Sequence, residues 1–391
     1  MPSDYDITYF AATTHRNERR RFGIYRRDRR SHTYVLGRTG MGKSTLLETL
    51  TASDIETGNG LALLDPHGDL AEAVRRRAEV ARRDDLVLFD PLDAPIGYNP
   101  IRVVDPSRRY QVVAGVISAF RNIWHDSWGP RMEHVLRQAL LTLAEFPGAT
   151  LVDLPPLLTD QAFRRSVLGR LTDEAVRAFW RTEFERYAPN FRNEVVAPIL
   201  NKVGAVLASP AVRAVIGDRA APLDLRDVMD RGKILIADLS KGRLGEDPAR
   251  LLGGLLVAGF EQAALSRADT PEHQRRDFYL YLDECHNFAT RSLAASLQEA
   301  RKYRLALVLA SQYLEQLDEE IESAILGNVG TLIAFRVGVR DAKILADEFF
   351  PEFTVEDLVN LPKYQIALRL MIDGVVSRAF SAMTVASGAS P

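Results

Sequence analysis

Residues 37–45 read GRTGMGKST, straight after the apolar run TYVLG at 33–37. Three glycines ahead of a lysine and two hydroxyls give the pattern G-x-x-x-x-G-K-[ST], running from Gly37 to Ser44. A strand-like run before it and a helix-like run after it supply the strand–loop–helix setting that the pattern needs. The glycines let successive backbone N–H groups turn inward around phosphate oxygens, and the helix N-terminus adds its dipole. Gly37, Thr39, Gly40, Met41, Gly42, Lys43, Ser44 and Thr45 are therefore expected to bind a nucleotide. In that reading Lys43 brings a point charge to the β- and γ-phosphates, and Ser44 brings a hydroxyl to Mg²⁺.

Outward from this loop, short apolar runs alternate with helix-like segments. LALLD (61–65) and LVLFD (86–90) read as strands, with helices around 43–57 and 69–82. Such runs predict a parallel sheet covered on both faces. From about 106 to 217 the pattern changes to amphipathic helix, as in RMEHVLRQALLTLAEF and EAVRAFWRTEFERYA. Strands return with KILIADLS (233–240), FYLYLDE (278–284), LALVLAS (305–311) and TLIAFRV (331–337), and a hairpin is expected to turn at Asp373-Gly374. The expected fold class is α/β: a P-loop domain with a mostly parallel sheet, built from 1–105 and 218–391, and an inserted all-α domain at 106–217.

A phosphate loop needs an acid at the end of a neighbouring buried strand. ILIAD ends in Asp238 with no second acid after it, whereas FYLYLDE ends in Asp283-Glu284. Hydrolysis needs both a magnesium carboxylate and a base that polarises water, so the reading takes Asp283 for the metal and Glu284 for the base. Gln312, at the end of LALVLAS, is placed to sense the γ-phosphate or position water. In LLDPHGDL (63–70), Asp65, His67 and Asp69 fall at a strand end that faces the ligand crevice in open α/β sheets; a plain Asp-Pro turn reads almost equally well.

The 391 residues carry 50 Lys and Arg against 52 Asp and Glu, a net charge of −2, so any nucleic-acid surface has to be local. RNERRRFGIYRRDRR (16–30), with eight arginines, reads either as a solvated edge strand or as a phosphate-contacting collar. One cysteine, Cys285, precludes an internal disulfide and suits a reducing compartment. The longest apolar stretch, LLGGLLVAGF (251–260), is too short to span a bilayer. The chain therefore reads as soluble and cytoplasmic, without a transmembrane segment of its own.

In order, GRTGMGKST, DPHGDL, YLDECHNF, ARKY…LVLASQ and ILGNVGTLIAFRV…DA resemble the HerA/FtsK superfamily of P-loop motors, above all its conjugative, type IV secretion coupling proteins of the TraD kind. The helical stretch containing WGPRMEHVLRQALLTL is similar to that family's all-alpha domain. The resemblance implies a RecA-like ATPase with ATP and Mg²⁺, assembled as a homo-hexamer that moves DNA through its channel. It places Arg336 where a trans-acting arginine often stands, and it implies relaxase, secretion-channel or membrane partners that could recruit the chain to the inner face of the membrane. A soluble HerA-like motor in repair or defence, and a nucleotide-gated docking platform with little turnover, remain the alternatives.

Overall fold

The computed structural model describes residues 3–14 and 19–386. It divides into two compact units: Met1–Leu88 with Arg226–Ser240 and Ala263–Pro391, and Phe89–Leu225 with Lys241–Gln262. The second unit contains all of 106–217 and also 89–105, 218–225 and 241–262.

The first unit is organised by one sheet. Its strands in chain order are β1 (Ile7–Thr13), β2 (Arg21–Tyr25), β3 (Thr33–Leu36), β4 (Gly60–Asp65), β5 (Leu86–Phe89), β6 (Ile234–Asp238), β7 (Phe278–Leu282), β8 (Leu305–Ser311), β9 (Thr331–Ala334) and β10 (Gln365–Arg369). The short hairpin of β11 (Met371–Ile372) and β12 (Val375–Val376) leads to β13 (Phe380–Thr384). Eleven strands run in the order β2-β1-β13-β10-β9-β3-β8-β7-β4-β6-β5. From β9 to β6 every neighbouring pair is parallel. Strands β3, β4, β7, β8 and β9 are buried at every residue, as a sheet covered on both faces requires.

The apolar runs thus predict the parallel centre. Beside it lies an antiparallel flank, where β10 and β13, both within the expected hairpin, pair with each other, β13 pairs with β1, and β1 with β2. The hairpin turns at Asp373-Gly374, both with positive φ, as two-residue turns favour.

The arginine run divides: β2 is the edge strand of the sheet with Arg19, Arg20 and Arg21 exposed, as the edge-strand reading expects, whereas the residues after it do not follow that reading. Arg16 lies outside the described residues. Arg26, Arg29 and Arg30 are neither solvated nor available to phosphate, because the chain turns them onto internal acids. Arg26 Nε donates to Asp277 Oδ2 and Arg30 Nε to Asp277 Oδ1, each at 2.8 Å. Arg29 is 3% exposed and donates to both Asp54 oxygens, at 2.6 and 2.9 Å, and to the Tyr281 hydroxyl at 2.8 Å. Its guanidinium lies 3.8 Å from the Tyr279 ring centroid.

The second unit is helical, with Arg109–Ile123, Pro130–Leu143 and Pro189–Leu207 among its longer members. The apolar run 251–260 lies in the helix Glu246–Ser266. Its small residues are contact points: a Cβ on Gly254 would meet Ala119 at 3.3 Å, and one on Gly115 would meet Ala258 at 3.2 Å. A helix that is apolar on every side is buried on every side, which is why 241–262 belongs with the helical unit.

Among the described residues no single helix is long and apolar enough to cross a membrane; Pro189–Leu207 and Pro210–Ile216 meet that requirement only together, as a pair bent by 99°.

Arg29→Ala should cost about 3–5 kcal/mol of unfolding free energy, because it strands the buried Asp54 carboxylate. Equilibrium urea denaturation of the variant checks this.

Candidate nucleotide site

The loop after β3 has the backbone that phosphate needs. Gly40 and Gly42 have φ of 76° and 124°, values that side chains resist. The helix Lys43–Glu56 starts immediately behind, and no side chain caps its N-terminus, so its first N–H groups are open to an anion. The loop is fastened on both sides. Gly37 N donates to the Ser311 carbonyl at 3.3 Å, and Arg38 N to the Arg336 carbonyl at 2.9 Å.

Lys43 is 6% exposed. Its ammonium donates to the Gly37 carbonyl at 2.5 Å and stands 3.9 Å from Glu284 Oε1. Burial pushes its pKa down, and the charges of Glu284 and Asp283 oppose that. Ser44 is exposed and Thr45 half-buried. Thr39 reaches across to the neighbouring strand, its hydroxyl donating to Gln312 Oε1 at 2.8 Å.

The two acids follow β7. Asp283 is buried, and its pKa is raised to about 6, first by desolvation, then by the charges of Asp65 and Glu284, with Lys43 opposing. Glu284 is a non-glycine residue in the left-handed region, φ 44° and ψ 57°. Its Oε2 is buried without a hydrogen-bond partner among the described residues. A backbone held off its ordinary minimum and an unsatisfied carboxylate oxygen are features that functional sites sustain.

Of Asp65, His67 and Asp69, Asp65 is buried and held by backbone groups, while His67 and Asp69 are exposed. Asp65 Oδ1 accepts from His67 N at 2.8 Å and Oδ2 from Ala71 N at 2.9 Å, so the carboxylate ties the turn after β4 to the following helix. Asp65 is nonetheless next to Asp283 in the sheet, since Leu64 registers with Leu282. Asp238 is two strands from β7, and its Oδ1 accepts from Ser240 N at 3.0 Å. Among the described residues, no group of three or more His, Cys, Asp or Glu residues could hold a metal ion by itself. Cys285 is fully buried, and desolvation raises its pKa far above the ordinary thiol range.

Arg336 emerges two residues after β9. Its carbonyl accepts from Arg38 N, and its Nε donates to the Leu361 carbonyl at 2.7 Å. Two aromatic residues that the sequence reading left aside also touch the loop. A Cβ on Gly37 would lie 2.5 Å from Phe335, and one on Gly42 would lie 2.8 Å from Tyr364. Nothing in FRVG or LPKYQ marks those contacts, which arise from β9 lying beside β3 and β10 beside β9.

A phosphate loop on the sixth of eleven strands, paired in parallel on both sides, with a buried lysine facing an acid pair across one intervening strand, defines a P-loop NTPase. Residues 25–206 match the family described as "Helicase HerA, central domain". The type 4 coupling protein DotL of Legionella pneumophila is 22% identical over 376 residues, covering 79% of this chain and 48% of DotL. The chain thus spans about half the length of that curated relative. Among solved structures, the bacterial conjugative coupling protein TrwB superposes with a TM-score of 0.67 at 16% identity, over 97% of this chain and 90% of that one. TrwB in complex with ADP and Mg²⁺ gives 0.68 at 18% identity, over 93% and 88%. VirB4 of Thermoanaerobacter pseudethanolicus gives 0.60 at 15% identity, over 98% and 96%. At these identities the likeness to solved structures is one of fold, RecA-like with a helical domain. Over residues 25–206, just under half of its length, the chain is similar to the HerA central-domain family.

The Asp283 shift predicts a pH-dependent stability. Its folded pKa of about 6 lies above the ordinary 3.8. Its favourable contribution is therefore complete below pH 3.8 and lost as pH rises through about 6. In nucleotide-free protein, Asp283→Asn should raise the melting temperature by a few degrees at pH 7.5, and the gain should vanish near pH 4. Melting curves at both pH values test this.

Proposed function

We propose that the chain is an ATP-hydrolysing motor of the coupling-protein type, acting on DNA in conjugation or type IV secretion as a homo-hexameric ring. The observation that carries the reading is the buried Lys43 ammonium 3.9 Å from the Glu284 carboxylate, at the mouth of an uncapped phosphate loop. One cation placed among Asp283, Glu284 and Asp65 leaves negative charge in excess, which suits a site completed by a metal bound with phosphate. Glu284 Oε2, buried 3.6 Å from His286 Nδ1 and without a hydrogen bond among the described residues, fits the same conclusion.

In this proposal Gly37 and Thr39 to Thr45 bind the phosphates of ATP, and Ser44 and Asp283 hold Mg²⁺. The metal, when bound, neutralises phosphate charge. Lys43 exchanges its Gly37 carbonyl for phosphate oxygens. Glu284 accepts the proton of the attacking water, and Gln312, released from Thr39, positions that water or reads the γ-phosphate. Arg336 adds positive charge as the terminal phosphate departs. The Nε bond to Leu361 leaves both terminal guanidinium nitrogens for that task. The likeness to DotL and TrwB supports the coupling role. The HerA family match supports a second reading, a HerA-like DNA motor in repair or defence, which uses the same site.

Lys43→Ala should abolish hydrolysis, and Glu284→Gln should still bind ATP while turning it over on the order of 100-fold more slowly. Wild-type ATPase activity should rise on adding DNA. A rate indifferent to single- and double-stranded DNA would count against both motor readings and favour the docking platform.

Arg336→Ala should lower turnover on the order of 10³-fold while nucleotide binding persists. Combined with Lys43→Ala subunits, it should regain part of the activity if the arginine serves a neighbour's site. Mixed rings without recovery would assign Arg336 to its own loop.

A further inference from the structure

Tyr364 is an unusual residue to find against a phosphate loop. It precedes β10 and has φ of 66°, a backbone that a bulky side chain adopts only under constraint. Three hydrogen bonds impose that constraint. Tyr364 N donates to the Met41 carbonyl at 3.0 Å, and the Tyr364 carbonyl accepts from Thr384 N at 2.9 Å and from the Thr384 hydroxyl at 3.2 Å. The strained residue is thus bolted to the loop on one side and to the end of β13 on the other.

The ring is not there to fill the core. Its edge packs on Gly42, yet the residue is 38% exposed. The Lys363 ammonium stands 4.9 Å from its centroid, so a cation from solvent reaches the π surface.

Its position in the sheet is equally specific. The loop follows β3; Glu284 follows β7, on the β8 side, and Tyr364 precedes β10, on the β9 side. A terminal phosphate drawn to Lys43 and the acid pair lies toward β7. The rest of a nucleotide, leading away from its terminal phosphate, is then directed to the other flank. The Thr45 side of the helix borders that flank, since the Thr49 hydroxyl donates both to the Thr45 carbonyl and to the Val385 carbonyl.

We propose that Tyr364 is the platform on which the purine base of the bound nucleotide stacks, with Lys363 moving off the ring toward ribose or phosphate. This rests on the nucleotide reading of the loop and adds the residue that separates a nucleoside triphosphate from bare polyphosphate. Stacking on an aromatic ring tolerates either purine, so the platform favours nucleotide over phosphate without selecting strongly between adenine and guanine.

The test is binding, not turnover. Calorimetric titration of the full chain with Mg-ATP and with Mg-tripolyphosphate separates base from phosphate contacts. Tyr364→Ala should weaken ATP binding roughly tenfold and leave tripolyphosphate unchanged, and Tyr364→Phe should restore ATP affinity. Tyr364→Trp, which keeps a ring and so guards against misfolding, should change its fluorescence on adding ATP and not on adding tripolyphosphate. Equal losses for both ligands would reduce Tyr364 to a prop for the loop, and no loss for either would remove it from the site; both outcomes overturn the platform. Lys43→Ala serves as the control for the underlying reading. If it binds both ligands as well as wild type, the phosphate assignment fails, whatever Tyr364 does.

Discussion

Beneath the sheet, the Arg29 guanidinium is held by both oxygens of Asp54, by the Tyr281 hydroxyl and by Thr8 Oγ1. Asp54 lies in the last turns of the helix that Lys43 begins, and Tyr281 lies two residues before Asp283 on β7. One buried cation therefore joins the N-terminal segment, the phosphate-loop helix and the strand that carries the acids. Such a pair is tolerated inside a protein only when nearly every polar atom is satisfied, and here the Arg29 guanidinium makes four hydrogen bonds while Asn59 and Tyr281 also donate to Asp54. The burial that makes it costly to remove also sets the distance between loop and acids, because neither element can shift without uncovering a charge.

At the other end of the same elements the balance is reversed. Asp283, Glu284 and Asp65 cluster near a single ammonium, and desolvation acts on Asp283 and Lys43. Asp65 satisfies itself with two backbone N–H groups. Glu284 keeps a left-handed backbone and an oxygen without a hydrogen bond among the described residues, and the Asp283 pKa is raised to about 6. The fold sustains this strain because the buried strands β4, β7 and β8 fix the backbone on which the acids sit. A site short of positive charge, beside open helix N–H groups, is complementary to phosphate carried in with a metal.

The antiparallel flank has a comparable role on the opposite side of the loop. Strands β1 and β13 bring the two ends of the chain together, with Ala11 opposite Thr384. The end of β13 in turn holds Tyr364 against Met41. Segments far from the loop in sequence thus control one wall of it.

Much of this was legible in the residues alone. The spacing from Gly37 to Ser44 and the continuous apolar runs determined the loop, the parallel centre of the sheet and the helical stretch, because hydrophobic periodicity and glycine conformations are local properties. The acid pair could be singled out because two adjacent carboxylates at the end of a buried strand are rarely placed there without use. Partners distant in sequence were not legible. Arg26, Arg29 and Arg30 look solvent-facing until Asp54 and Asp277 are brought to them, and 251–260 looks like any apolar helix until Ala119 packs on Gly254 and Gly115 on Ala258. Phe335, Tyr364 and the bond from Thr39 to Gln312 likewise exist only through strand order. Charge pairing and ring contact depend on distance in space, and in this chain only the tertiary structure sets that distance.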